Sequence, residues 1–263
     1  MSIGLPTADA LIPMGIGFLL VAARLASLFL SMPIFGGTTV PAPIRAATIV
    51  VISAAIFLSL PPLQYVPTDL VGLVLALLGE MFVGFAAGFA ARIVFAAVET
   101  AGQLLGMPMG LGFDNAVDPI SNSNQVVTSR LLGIMVSLLF LVMDIHLVLL
   151  RMVAESFLLL PPGKAFVSPM VGMSLVRQSG LIFEGAVQLA APVLLVLLGT
   201  LAVLGLLSKI APKVNLFALS FAISIALGLI SLKAALPDMT AWMRNIVNTI
   251  EPIALEALGH FGA

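Results

Sequence analysis

Six stretches of almost unbroken apolar sequence dominate this chain: about Leu11–Ser31, Ile44–Leu60, Leu70–Val98, Leu131–Leu150, Leu181–Leu207 and Leu216–Leu236. A helix crossing a bilayer needs roughly 20 apolar residues, and each run is close to that length or beyond it. The second is the shortest. Of the 263 residues 61% are hydrophobic and only 9% charged, where a soluble domain carries roughly 25% charged residues. The expected fold is therefore all-α and polytopic, in a membrane.

Composition also removes several function classes. The formal net charge of −1 offers nothing to a nucleic acid. Without cysteine there is no disulfide or thiolate chemistry. No GxxxxGK[ST], HExxH or GxSxG occurs, and the only histidines are His146 and His260. No catalytic residue, metal or cofactor site is expected. The opening MSIGLPTADALIPMG lacks the basic stretch of a secretory signal, so the first apolar run is read as retained.

Turn-rich connectors separate the runs: Met32–Pro43, Pro61–Asp69, Leu160–Pro169 and the basic link Ser208–Asn215, which makes the last two helices a tight hairpin. The tail from Pro237 is less apolar. Its Trp242, Ile246, Ile250 and Ile253, three or four apart, suit a helix lying at an interface. The positive-inside rule gives no orientation. One side receives Arg45, Arg92, Arg130, Lys209 and Lys213, the other Arg151, Lys164, Arg177, Lys233 and Arg244. That balance hints that the spans do not all cross a bilayer in the usual way.

One segment breaks the apolar pattern near the middle of the chain. Gly102–Gln125, GQLLGMPMGLGFDNAVDPISNSNQ, is too rich in Gly and Pro for a stable helix and too polar in its second half for free backbone in lipid. Gly106, Pro108, Gly110 and Gly112 alternate with Met107, Met109, Leu111 and Phe113. Read as extended, the segment has a bare face that lies against neighbours and a soft Met/Phe face that plugs an opening.

Polar residues inside the spans point to packing. Glu80, Gly84, Gly88 and Arg92 follow each other at intervals of four, and the two glycines form a GxxxG surface for another helix. Glu80 and Arg92 read as end charges that snorkel. In LLFLVMDIHLVLLRMVAES, Asp144 and Arg151 are seven apart and Arg151 and Glu155 form an i,i+4 pair. Asp144, His146 and Arg151 are read as a buried, satisfied polar set between packed helices or near a membrane boundary. A proton relay through Asp144 and His146 is the sharper alternative, but on one helix those two side chains diverge by about 160°.

Three regions together resemble the subunit-R family of the flagellar and type III secretion export gate: Arg24–Ala47 (RLASLFLSMPIFGGTTVPAPIRAA), the pair GMPMGLGFDNAVDP and LLFLVMDIHLVLLRMVAESFLLLP, and Ala191–Phe217 (APVLLVLLGTLAVLGLLSKIAPKVNLF), in which Gly205, Pro212, Asn215 and Phe217 match. The resemblance runs from about Arg24 to Leu236. Asp144-Ile145 stands where that family usually has Asn-Gly, and Lys213-Val214 where it usually has Gln-Met.

The resemblance implies one export-gate domain over residues 1–263: a P-like part over about 1–180, a Q-like hairpin over about 181–236 and a C-terminal tail over 237–263. It implies partners FliP and FliQ (the P and Q subunits), the switch subunit FlhB, the FlhA component, exported unfolded polypeptides and membrane lipid, at the flagellar basal body in the bacterial inner membrane. The loop 106–122 would be the pore plug, with Gly106, Met107, Met109, Gly110, Leu111, Gly112, Phe113, Asp118 and Pro119 as its gating residues. An autonomous secondary transporter with an interrupted-helix site at 102–125 is the alternative. It calls for a second interrupted helix in the other half, which the sequence does not suggest.

Overall fold

The computed structural model describes residues 8–37, 40–61, 67, 69–111, 127–165, 169–210 and 216–259, and among these all regular structure is helical. The helices are α1 (Ala8–Ser31), α2 (Pro33–Gly36), α3 (Ala42–Ser59), α4 (Leu70–Gly106), α5 (Val127–Val142), α6 (Ile145–Leu159), α7 (Pro169–Ile210) and α8 (Leu216–Gly259). Five segments are long and apolar enough to cross a membrane: Leu11–Ser31, Ala42–Ser59, Leu70–Gly106, Leu175–Ile210 and Leu219–Ile246. Helices α5 and α6 together make a sixth, broken candidate. The chain is an all-α polytopic membrane protein.

Three sequence expectations are corrected here. The third helix does not stop near Val98 but runs on through Gly102 to Gly106. Gln103, Leu104 and Leu105 are good helix formers, and the winding goes on past them, with the Met109 N–H donating to the Leu105 carbonyl at 3.0 Å, until Gly110 turns left-handed. The fourth run is two helices, because Asp144 adopts left-handed backbone (φ 55°, ψ 24°). Its carbonyl then accepts from Leu147 N–H at 2.9 Å and Val148 N–H at 3.3 Å to start α6. The chain beyond Pro237 is no separate surface helix. It continues α8, because Met239, Trp242 and Met243 extend the same buried face.

The chain forms two compact units. The first comprises Met1–Arg92, Asp144–Arg177 and Val247–Ala263. In it α1 packs on α2 and α3, with an edge-to-face contact between Phe18 and Phe57 (centroids 6.2 Å apart). Arg45 Nη1 donates to the carbonyls of Phe35 at 2.9 Å and Gly37 at 3.3 Å, closing the connector between α2 and α3. Helix α6 buries Ile145, Leu149, Met152, Val153, Ser156 and Phe157, the spacing of one helical face.

The second unit comprises Ile93–Met143 and Gln178–Ile246. Helix α5 buries Leu132, Val136 and Phe140, and Phe140 meets Phe95 of α4 edge to face at 5.5 Å. Ser129 donates to the Glu99 carbonyl at 3.0 Å. A Cβ on Gly102 would stand 2.5 Å from Ser129 Cα, so this glycine sets how closely α4 and α5 approach. Helices α7 and α8 pair as the expected hairpin. Ala186, Ala190, Val193 and Leu197 are buried, and a Cβ on Gly185 would enter the Trp242 ring.

Candidate functional site

The loop expected to act as a plug begins where α4 ends, and the structure shows how it is rooted. The Leu111 N–H donates to the Gly106 carbonyl and the Gly110 N–H to the Met107 carbonyl, both at 2.9 Å. This is the paired pattern of a Schellman helix end, with Gly110 in the left-handed position at φ 79°. A residue with a Cβ is disfavoured there, which explains the glycine.

The same turn overturns part of the extended reading. Met107 and Met109 do not share a face: Met107 is 78% exposed and Met109 fully buried. A wound helix end separates neighbouring side chains differently from a pleated strand. Met109 packs on α8, its Cε 2.6 Å from where a Gly228 Cβ would sit. A Cβ on Gly110 would enter the ring of Phe221. Phe221 and Gly228 are seven apart and thus on one face of α8, so two successive loop residues are seated on one helix surface. Sequence reasoning did not single out these two partners. The only signal for the second was a lone glycine in the apolar run of α8. Gly106 is buried and Leu111 half-buried. Gly112, Phe113, Asp118 and Pro119 lie outside the described residues.

The two packing glycines both face α1. A Cβ on Gly84 would strike the Arg24 carbonyl and the Ser27 hydroxyl, and one on Gly88 the Ser31 hydroxyl. Ser27 and Ser31 turn their hydroxyls back onto the Arg24 and Leu28 carbonyls, at 2.9 and 2.8 Å, so α1 presents a satisfied surface to the stripe. Such close approach lets two helices associate without a hydrophobic driving force between them.

The polar residues require a larger correction. Asp144 is exposed on this chain, and Arg151 pairs with Glu155 at 2.8 Å with the two side chains 79% and 42% exposed. His146 is half-buried, and its Nδ1 is shielded from solvent without a hydrogen-bond partner. These three do not form a buried cluster within the chain, because the helix break at Asp144 turns that residue out of the α6 face. The 160° divergence argued for a continuous helix does not apply.

The buried charge lies elsewhere. Glu80 is not an end charge: α4 begins at Leu70, and the Glu80 side chain is fully enclosed, 2.6 Å from Arg24 of α1. Arg24 also donates to Ser156 Oγ at 2.8 Å and the Leu160 carbonyl at 3.1 Å, and its guanidinium lies 4.0 Å over the Phe157 ring. The other Glu80 oxygen accepts from Gly163 N–H at 2.8 Å. The pair ties α1, α4 and α6 together with the turn that follows α6. Glu80 stood out in the sequence as a charge inside an apolar run, and the signal for its partner was a basic residue in the middle of the first one.

The profile of the family described as "Bacterial export proteins, family 1" matches residues 16–250. The chain belongs to that family. Among relatives of this bacterial export protein, the flagellar biosynthetic protein FliR of Escherichia coli (strain K12) is 34% identical over 218 residues, 83% of each chain. The FliR protein of Aquifex aeolicus (strain VF5) is 30% identical over 235 residues, covering 88% of this chain and 89% of the relative. That of Pectobacterium carotovorum subsp. carotovorum is 29% identical over 235 residues, covering 89% and 90%. With these relatives and its apolar spans, the family-1 chain is an inner-membrane component of a flagellar export apparatus.

Proposed function

We propose that this chain is the R subunit of the flagellar export gate. With P and Q subunits it encloses the closed channel through which unfolded flagellar proteins are exported, and its 106–122 loop is the pore plug. Residues 1–180 act as the P-like part and 181–236 as the Q-like hairpin. FlhB and FlhA are its neighbours in the machine, and covalent chemistry and energy input belong to other components.

The observation that carries this reading is the root of the loop. Met109 and Gly110 are seated on Gly228 and Phe221 of α8, while Met107 on the same turn remains exposed. A plug must be anchored at its base and deformable where it meets the passing chain, and thioether side chains reshape without losing apolar contact. A hydrophobic constriction excludes ions by dewetting and needs no charge. Assembly with partners is supported by α6, where the exposed Arg151–Glu155 pair lies in an apolar run beside exposed Leu147 and Leu158. Charge at such a position calls for protein or water against it.

The test is deletion of residues 112–118, which leaves the root intact, in cells making the complete complex. The complex is expected to assemble with its P and Q subunits and to leak ions, read as membrane conductance and as growth failure in high salt. A deletion that assembles and stays tight would assign closure to the partner subunits.

A further inference from the structure

Several helix hydroxyls of the second unit turn back to their own backbone. Ser137, Thr200, Ser208 and Thr240 each donate to a carbonyl three or four residues earlier, at 2.7 or 2.8 Å. Ser224 of α8 does not. It is 2% exposed, and its Oγ has no hydrogen-bond partner among the described residues. A hydroxyl buried in that state costs free energy, because it has lost its water and gained nothing in exchange.

The place of this hydroxyl decides what the cost acts on. Phe221, Ser224 and Gly228 follow at intervals of three and four, on one face of α8. Gly110 is seated on Phe221 and Met109 on Gly228, all within the second unit. The loop root therefore spans about 10 Å of α8 at 1.5 Å per residue, and Ser224 lies inside that step. The root has no donor to offer it. Pro108 lacks an N–H, and the N–H groups of Met109, Gly110 and Leu111 are committed to the carbonyls of Leu105, Met107 and Gly106. On either side of the hydroxyl the contact is apolar, made by the Phe221 ring and the Met109 thioether.

We propose that Ser224 is a release point in the seat of the loop root: its unsatisfied hydroxyl weakens the docking of Met109 and Gly110 on α8, and it is hydrated when the root lifts. Apolar contact favours the docked state and hydration of one hydroxyl the undocked one, so the root detaches and returns without unfolding α8. The consequence for export rests on the reading of the loop as the plug; the docking equilibrium does not.

Hydrogen exchange over residues 105–111, read by mass spectrometry on the purified complex carrying the full chain, tests this, since these helix-end amides exchange when the root lifts and its turn frays. Ser224→Ala is expected to slow that exchange about ten-fold, the effect of removing one buried unsatisfied hydroxyl from the docked state. Ser137→Ala, which removes a satisfied hydroxyl from the same unit, should leave the exchange of this segment unchanged. In cells, Ser224→Ala should assemble normally and reduce swimming in soft agar. Exchange in Ser224→Ala as fast as in the wild type, or faster, would overturn the proposal, because the hydroxyl would then be satisfied in the complex. Equal slowing by Ser137→Ala would overturn it as well. Slower exchange in Ser224→Ala alone, with undiminished swimming, would uphold the release point and count against the plug, which the 112–118 deletion tests separately.

Discussion

Arg24 and Glu80, 56 residues apart, meet at 2.6 Å with neither side chain exposed, and the backbone of the turn after α6 reads the polarity of the pair. The Leu160 carbonyl accepts from the arginine, and the Gly163 N–H donates to the glutamate. A carbonyl suits only the cation and an N–H only the anion, so the two charges are not interchangeable.

Single substitutions Arg24→Leu and Glu80→Leu should each destabilise the protein by about 3–5 kcal/mol, because each leaves an uncompensated buried charge. The double variant Arg24→Met with Glu80→Leu should recover most of that loss. The exchange Arg24→Glu with Glu80→Arg should not, since Leu160 and Gly163 would then face like polarity. Steady-state protein level in the membrane and thermal unfolding in detergent report the order. Full recovery by the charge exchange would mean that the turn does not read the pair.

Gly84→Ala should impair folding of the first unit more than Gly88→Ala. The first Cβ runs into the backbone carbonyl of Arg24, which cannot turn aside; the second runs into the Ser31 hydroxyl, which can rotate, and comes only to 2.9 Å from the Leu28 carbonyl. Gly133→Ala provides the contrast: nothing lies within 4 Å of its Cβ, and helix propensity favours alanine by about 1 kcal/mol. Proteolytic resistance of the purified complex separates the three. Equal resistance in all would show that the α1–α4 contact is looser than described.

At the plug root, Gly110→Val should be worse than Gly110→Asn. Both meet Phe221, but asparagine tolerates left-handed backbone and valine does not. Adding Phe221→Ala to Gly110→Ala should relieve the steric part and leave the backbone cost of about 1–2 kcal/mol. Amounts of assembled complex on native gels give the ranking. If Phe221→Ala restored Gly110→Ala completely, the positive φ would carry no cost.

Asp144→Asn and Asp144→Gly should both preserve export, because the position requires a left-handed conformation that all three residues accept, and the carboxylate is exposed and makes no capping hydrogen bond to α6. Asp144→Val should lower the protein level, since β-branched residues resist that conformation. Swimming in soft agar and protein amounts distinguish these outcomes. Loss of motility in Asp144→Asn with the complex intact would restore the proton-relay reading.

Much of the architecture was legible in the sequence. The hydrophobic runs fix which segments become long helices, the GxxxG spacing marks the face of α4 that another helix approaches, and a helical loop root was hidden only by an alternation that a short Gly/Pro segment can mimic. Termination was harder to read. Whether Gly106 ends a helix or begins an extended loop depends on the hydrogen bonds of Gly110 and Leu111, which composition does not contain. Asp144 shows the same limit, since αL backbone at an aspartate carries no periodic signal.

By itself the sequence determined that this chain spends its apolar residues on membrane-length helices, because a backbone in lipid must satisfy its own hydrogen bonds and only long continuous runs do so. Which charges those helices enclose was decided by tertiary structure. Glu80 was read as an end charge and the fold encloses it; Asp144 was read as buried, and within this chain it is exposed. Glu80 meets Arg24 only when α1 closes on the α4 glycines Gly84 and Gly88, and Asp144 is turned outward by the break before α6. The cost of burying a charge depends on partners brought from distant parts of the chain, so no local pattern can assign it.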